Sequence, residues 1–250
     1  MSVVVPMRVF VLGGAGGIGA AGVRALVEAG HRVAVGDIAP VHPGLGAEIA
    51  MRADAGVEDE VIAAVGGAVK GLGGLDAAWS HAGVQLLGTV ESMALDDFDR
   101  SYRINLRAHA VFARAVIPHL RVAADGSLLF TASGAGLVVD RAAVPYATMK
   151  SALVTFARLL ALDHAADGIR VNALCPGWVD TPFNAPAYEQ LGGYEAFLAS
   201  VPELTPLARV AGPDEIGRLA AWILTAPEAS YMTGQAIVAD GGDTLRYGIR

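Results

Sequence analysis

Short apolar runs alternate along this chain with longer stretches whose apolar positions recur every three or four residues. Val-, Leu- and Ala-rich runs at residues 8–12, 32–36, 50–53, 77–80, 127–131, 170–173 and 236–238 read as strands. Helical spacing lies between them, clearest at residues 18–28, 96–120, 145–165 and 214–225. The strand runs are continuously apolar, as expected of strands buried on both faces. Separated by helices, they predict a parallel sheet covered on each side. The expected fold is therefore α/β: a doubly wound, Rossmann-type sheet of seven parallel strands, with helices on both faces and one domain over residues 1–250. No internal repeat or low-complexity linker interrupts it.

One interval breaks the rhythm. Pro182, Pro186, Gly192-Gly193 and Pro202 bring turn chemistry to residues 181–206, with Phe183, Tyr188, Leu191, Tyr194 and Phe197 among them. This predicts an irregular insertion serving as a substrate lid. Its aromatic residues suit an apolar or ring-shaped substrate, or anchor the lid to the core.

Composition narrows the function classes. Hydrophobic residues make up 54% of the chain and charged residues 17%, which excludes a disordered chain. The net charge of −7, without a basic run, argues against a nucleic-acid or anionic-membrane binder. No apolar stretch is long enough to span a bilayer, and the N-terminus reads as a lead into the first strand. The single cysteine, Cys175, allows no internal disulfide, reads as a small buried apolar residue and fits a cytoplasmic setting. The histidines lack metal-ligand spacing, so no metal site is expected.

The first candidate chemistry follows the first strand, in Gly13-Gly14-Ala15-Gly16-Gly17-Ile18-Gly19, with a helical pattern directly after it. Glycines there let the backbone turn sharply and let a pyrophosphate approach the amides and the positive end of the helix. Asp37 ends the second strand, where a carboxylate accepts hydrogen bonds from the adenosine ribose and repels a 2′-phosphate. Each feature alone has a plain reading, a flexible loop and a solvated strand-end carboxylate. Together they favour a dinucleotide. With no basic group at Ala15, Gly16 or Ile38, they favour NAD over NADP.

The second is Tyr146-Ala147-Thr148-Met149-Lys150, with Ser133 upstream. Tyr146 and Lys150 project from one helix face, and an ammonium beside a phenol favours the phenolate. Alone, the pair could be a buried tyrosine and a snorkelling lysine.

These residues resemble the short-chain dehydrogenase/reductase family, in its short single-domain branch. The spacing Gly13-x-x-x-Gly17-Ile18-Gly19 is similar to that family's cofactor turn, and Ser133 with Tyr146-x-x-x-Lys150 to its catalytic segment. Asn105, on the long fourth helix, matches its catalytic asparagine. Pro176-Gly177-Trp178-Val179-Asp180-Thr181 resembles the segment beside the nicotinamide, and Thr233-Gly234-Gln235 with Asp240-Gly241-Gly242 the C-terminal signature. The resemblance implies hydride transfer between a secondary alcohol or its ketone and NAD. In it, Tyr146 is general acid/base and Ser133 holds the substrate oxygen. Lys150 lowers the tyrosine pKa and holds the nicotinamide ribose, and Asn105 anchors a water-linked proton path. The cofactor-binding set it implies is Gly13, Gly17, Ile18, Gly19, Asp37, Asp54, Ala82, Gly83, Tyr146, Lys150, Pro176, Gly177, Val179 and Thr181. It also implies a homotetramer, or a homodimer, built through the helices at residues 105–120 and 146–165.

Two departures stand out: Leu12 where the family has threonine, and Ser80-His81-Ala82-Gly83 where it has Asn-Asn-Ala-Gly. Both put local hydrogen bonding in question and leave the reaction class intact. His81 is expected to be packed and structural in preference to an acid or base. Asp54 is a helix cap, an adenine contact, or both. Asp96, Asp97 and Asp99 are expected at a helix start. Two other readings are an epimerase or dehydratase with tightly held NAD, and a non-catalytic NAD(H) sensor on the same fold.

Overall fold

The structure, a computed structural model, describes residues 5–245, so the first residues of the N-terminal lead lie outside the described residues. Strands β1 (Arg8–Leu12), β2 (Arg32–Asp37), β3 (Ile49–Arg52), β4 (Ala77–Ser80), β5 (Gly126–Thr131), β6 (Ile169–Pro176) and β7 (Ala236–Ala239) form one sheet. Its order is β3-β2-β1-β4-β5-β6-β7, and every pairing is parallel. The doubly wound expectation holds. β6 runs past the expected residue 173 because Leu174, Cys175 and Pro176 face Ile237, Val238 and Ala239 of β7.

The two faces of β1 show how a continuously apolar strand serves two cores. Phe10 and Leu12 pack with Phe112, Leu128 and Phe130 on one side of the sheet. Val9 and Val11 pack with Trp79, Leu129 and Ile223 on the other. Each large side chain so buried contributes roughly 1.5–3 kcal/mol. The first side is covered by α2 (Glu58–Leu72), α4 (Ala108–Leu120) and α5 (Val144–His164), the second by α1 (Gly17–Glu28) and α8 (Pro213–Thr225). In α2, buried Val61, Ala64, Val65, Ala68 and Leu72 recur at helical spacing, and acidic Glu58, Asp59 and Glu60 occupy its first turn. α1 and α8 approach closely through Gly22 and Gly217. A Cβ on Gly22 would fall 2.3 Å from Trp79 Cζ3, and one on Gly217 would fall 2.5 Å from the Gly22 nitrogen.

Two sequence expectations are corrected. The single helix expected over residues 96–120 is three pieces: α3 (Leu95–Tyr102), a π-helical turn at Arg103–Arg107, and α4. The wide turn contains Asn105, whose side chain is bonded outside the helix. The interval at 181–206 is not irregular. It holds a 3₁₀ turn (Pro182–Asn184), α6 (Ala185–Gln190) and α7 (Tyr194–Leu204). Pro182 and Pro186 sit in first turns, where a missing N–H costs nothing, so they start helices instead of breaking them. No described helix is long and apolar enough to cross a membrane.

Candidate active site

Strand order reverses between β1 and β4, and the crevice at their carboxyl ends opens into a cavity of about 1060 Å³. Its wall includes Gly13, Gly17, Ile18, Asp37, Asp54, Ala82, Gly83, Ser133, Tyr146, Lys150, Pro176, Gly177, Val179 and Thr181. Of the residues singled out in sequence, Gly19 and Asn105 lie behind that wall.

At one end the cavity meets the first turn of α1. The N-cap is Gly16, and no side chain caps the helix or adds an acid to its first turn. Those open N–H groups suit a phosphate. Gly13, at φ +92°, passes so close to the loop after β4 that a Cβ would fall 2.6 Å from the Ala82 nitrogen. Gly19 faces inward, where a Cβ would fall 2.1 Å from the Gly13 carbonyl oxygen. Asp37 Oδ2 accepts the Ala15 N–H at 2.8 Å, and its Oδ1 accepts the Ala39 N–H at 2.9 Å. Asp54 does not cap α2: its Oδ1 accepts the Gly56 N–H at 2.8 Å, and Val57 is the N-cap. Thr181 closes this end, with Cγ2 3.2 Å from the Cβ position of Gly17. Open amides at the start of α1, a carboxylate at the end of β2 and a glycine-rich turn fit a dinucleotide.

The chemistry-bearing side chains come from three elements. Ser133 follows β5, and its Oγ accepts the Ala135 N–H at 3.2 Å. Tyr146 and Lys150 lie one turn apart in α5, and both are buried. Burial pushes the Tyr146 phenol up to about 12, opposed by the neighbouring Ser133 side chain. Burial likewise pushes the Lys150 ammonium down to about 8. Lys150 Nζ donates to the Thr131 carbonyl at 2.8 Å and lies 5.7 Å from the Tyr146 ring centre. The pairing expected from sequence is present, but burial outweighs any lowering of the phenol by the ammonium.

Behind them, Asn105 Nδ2 donates to the Val84 carbonyl at 2.8 Å and to Ser101 Oγ at 2.9 Å, while its Oδ1 accepts the Val84 N–H at 3.0 Å. Ser101 Oγ in turn donates to the Pro145 carbonyl, directly before Tyr146. Asn105 thereby joins the loop after β4 to the start of α5.

The departures at residues 80 and 81 find local partners. Ser80 Oγ and His109 Nδ1 are 2.7 Å apart, a pairing that no sequence signal announced. Trp79 Nε1 donates to Thr131 Oγ1, which is bonded to His81 Nδ1, each at 2.9 Å. Burial, with the Lys150 charge second, pushes His81 down to about 3, so it stays neutral. Leu12 is core. Cys175 is buried, and burial pushes its thiol up to about 11.

The large apolar and aromatic residues of the 181–206 interval divide. Phe183 and Leu191 line the cavity, with the Phe183 ring centre 6.0 Å from that of Tyr146. Tyr188 and Phe197 instead join Val201 in a small core on which Trp178 packs. Gln85, Leu87, Asn184 and Leu204 also reach the cavity, none of them flagged by a sequence motif.

A family model described as enoyl-(acyl carrier protein) reductase matches residues 13–244. The Escherichia coli oxidoreductase UcpA is 35% identical over 240 residues, covering 92% of this chain and 91% of that protein. The 2,5-dichloro-2,5-cyclohexadiene-1,4-diol dehydrogenase of Sphingobium indicum is 35% identical over 244 residues, covering 94% and 96%. The ligand-free aldohexose dehydrogenase structure from Thermoplasma acidophilum superposes with a TM-score of 0.88 at 27% identity, covering 98% of this chain and 97% of that one. The chain belongs to the short-chain dehydrogenase/reductase family. It is accordingly an oxidoreductase, of a family that binds NAD or NADP.

Proposed function

We propose that the protein interconverts a ring-shaped secondary alcohol and its ketone with NAD, using Tyr146 as general acid/base. The observation that carries this reading is the convergence of Ser133, Tyr146 and Lys150 on one wall of the cavity, with the buried Lys150 ammonium 5.7 Å from the Tyr146 ring centre. The turn at Gly13–Gly19, Asp37, Asp54, Ala82, Gly83 and the Pro176–Thr181 segment would hold the dinucleotide, with Lys150 on the nicotinamide ribose. When bound, the nicotinamide supplies or accepts the hydride.

Tyr146, protonated at neutral pH, gives its proton to the carbonyl oxygen in reduction; in oxidation its phenolate, formed by prior loss of that proton, takes the proton of the hydroxyl. Ser133 steadies that oxygen with a hydrogen bond as its charge changes. Asn105 holds the Val84 backbone and, through Ser101, the start of α5, which keeps Tyr146 and Gly83 in register. Residues 181–206 act as a lid on the substrate end. A ring suits the apolar surface of Leu87, Trp178, Phe183 and Leu191, and the Sphingobium and Thermoplasma relatives are named for ring-shaped or sugar substrates. We further propose a cytoplasmic homotetramer assembled through α4 and α5.

The test is spectrophotometric: NADH formation from NAD with a panel of cyclic secondary alcohols, sugars and steroids. Turnover with NAD and at least one of these is expected. NADH binding without turnover on any alcohol or ketone would instead support a sensor.

A further inference from the structure

The substrate end of the cavity contains an amide pair whose hydrogen bonding is incomplete. Asn184 Nδ2 donates to the Val179 carbonyl at 2.8 Å. A carbonyl only accepts, so this bond fixes the Asn184 amide with its Oδ1 directed away. That oxygen faces Gln85 and takes the Gln85 Nε2 donor at 3.4 Å. Gln85 is therefore also oriented, and its Oε1 is buried without a hydrogen-bond partner. A buried carbonyl oxygen left unpaired is destabilising. Such a group is retained where a ligand completes it.

The position selects the ligand. Gln85 lies two residues after Gly83, whose Cβ position is 3.5 Å from Lys150 Nζ. Its partner Asn184 follows Phe183, the residue that packs toward Tyr146. Both amides line the cavity. At 3.4 Å the bond between them is long and weak, so a stronger donor from a ligand in the cavity would compete with it and draw the Gln85 oxygen toward the cavity. An orphaned acceptor needs a donor. A ketone oxygen or a hydrocarbon ring supplies none, whereas a hydroxyl does.

We infer that Gln85 recognises a second hydroxyl on the substrate, one that does not react. This rests on the reading of the cleft as an alcohol–ketone site and narrows its substrates to polyhydroxylated rings. The acceptor arises at the junction of the loop after β4 with the lid. Substrate choice is therefore set where those two segments meet.

The experiment compares cyclohexanol with the vicinal and para cyclohexanediols, measuring kcat/KM with NAD and, independently, calorimetric binding in the presence of NADH. The wild-type protein is expected to favour at least one diol over cyclohexanol by about tenfold, the scale of one hydrogen bond in a shielded site. Gln85→Leu, similar in size but without the acceptor, is expected to bring that ratio close to one. Gln85→Glu, which restores an acceptor, is expected to keep it. A wild-type protein without diol preference overturns the inference, as does a Gln85→Leu ratio equal to wild type. Failure to oxidise any alcohol with NAD or NADP would defeat the alcohol–ketone reading itself. The binding ratios would still decide the role of Gln85.

Discussion

The Asp37 carboxylate accepts the Ala15 N–H at 2.8 Å, joining the end of β2 to the glycine turn across 22 residues. A residue expected to choose the nucleotide thus also holds the loop on which its phosphates would rest. The other oxygen binds the Ala39 N–H, so the carboxylate is fixed from two sides. Asp37→Ala frees both amides and removes the charge. NADH affinity is expected to fall about 10- to 100-fold, the scale of lost hydrogen bonds to a charged group, and the preference for NADH over NADPH to narrow. Fluorescence titration with both nucleotides checks this. An unchanged NADH affinity would remove Asp37 from the cofactor site.

Tyr146→Phe keeps the ring against Phe183 and deletes the proton. Turnover is expected to fall by about 10²–10⁴ at saturating substrate, the range for a lost general acid or base. NADH binding should stay measurable. Retained turnover would rule out the mechanism.

The pH profile separates Lys150 from Tyr146. Burial holds Lys150 at about 8 and Tyr146 at about 12, so over pH 8–12 the ammonium is lost while the phenol keeps its proton. For ketone reduction kcat/KM is expected to be level below pH 8 and to fall above it, as the charge beside Tyr146 disappears. In Lys150→Arg the guanidinium stays charged throughout, and the fall should move above pH 10. A wild-type profile level to pH 10 would show that the ammonium charge is not needed.

The α1–α8 contact predicts stability. Gly22→Ala puts a methyl group into the Trp79 ring, and Gly217→Ala puts one into the α1 backbone. Each is expected to destabilise by about 1–3 kcal/mol, as overpacking in a filled core does. Urea denaturation measures it. Gly66→Ala, where a Cβ meets open space, is the control and should be neutral or slightly stabilising.

Leu159 and Leu162 on α5 are exposed in the single chain. If α5 forms the expected interface, Leu162→Glu should shift sedimentation from tetramer toward smaller species. A wild-type monomer would refute the assembly.

Much of this was legible in the sequence because periodicity reports burial. All seven strands follow from continuous apolar runs, and the glycine turn from its place between a strand and a helix. The π-helical turn is not legible because the apolar pattern runs through it, while Asn105 within it is bonded to the Val84 backbone 21 residues earlier. α6 and the 3₁₀ turn before it are masked in the sequence by Pro182 and Pro186, which read as breakers and act as starters. Ser80 looked short of a partner because His109 lies 29 residues away. Gln85 carries no motif: its significance is an absent bond, which only the folded chain displays.

The small core of Tyr188, Phe197 and Val201 gives residues 181–206 an internal frame separate from the side chains that face the cavity. Phe183 and Leu191 face the cavity, while residues they do not share keep the frame together. Exchanging the working residues would leave the frame's packing in place, so new substrates could be selected by changing a few positions on a retained part. On the proposed reading, that division lets specificity drift while the reaction machinery stays put.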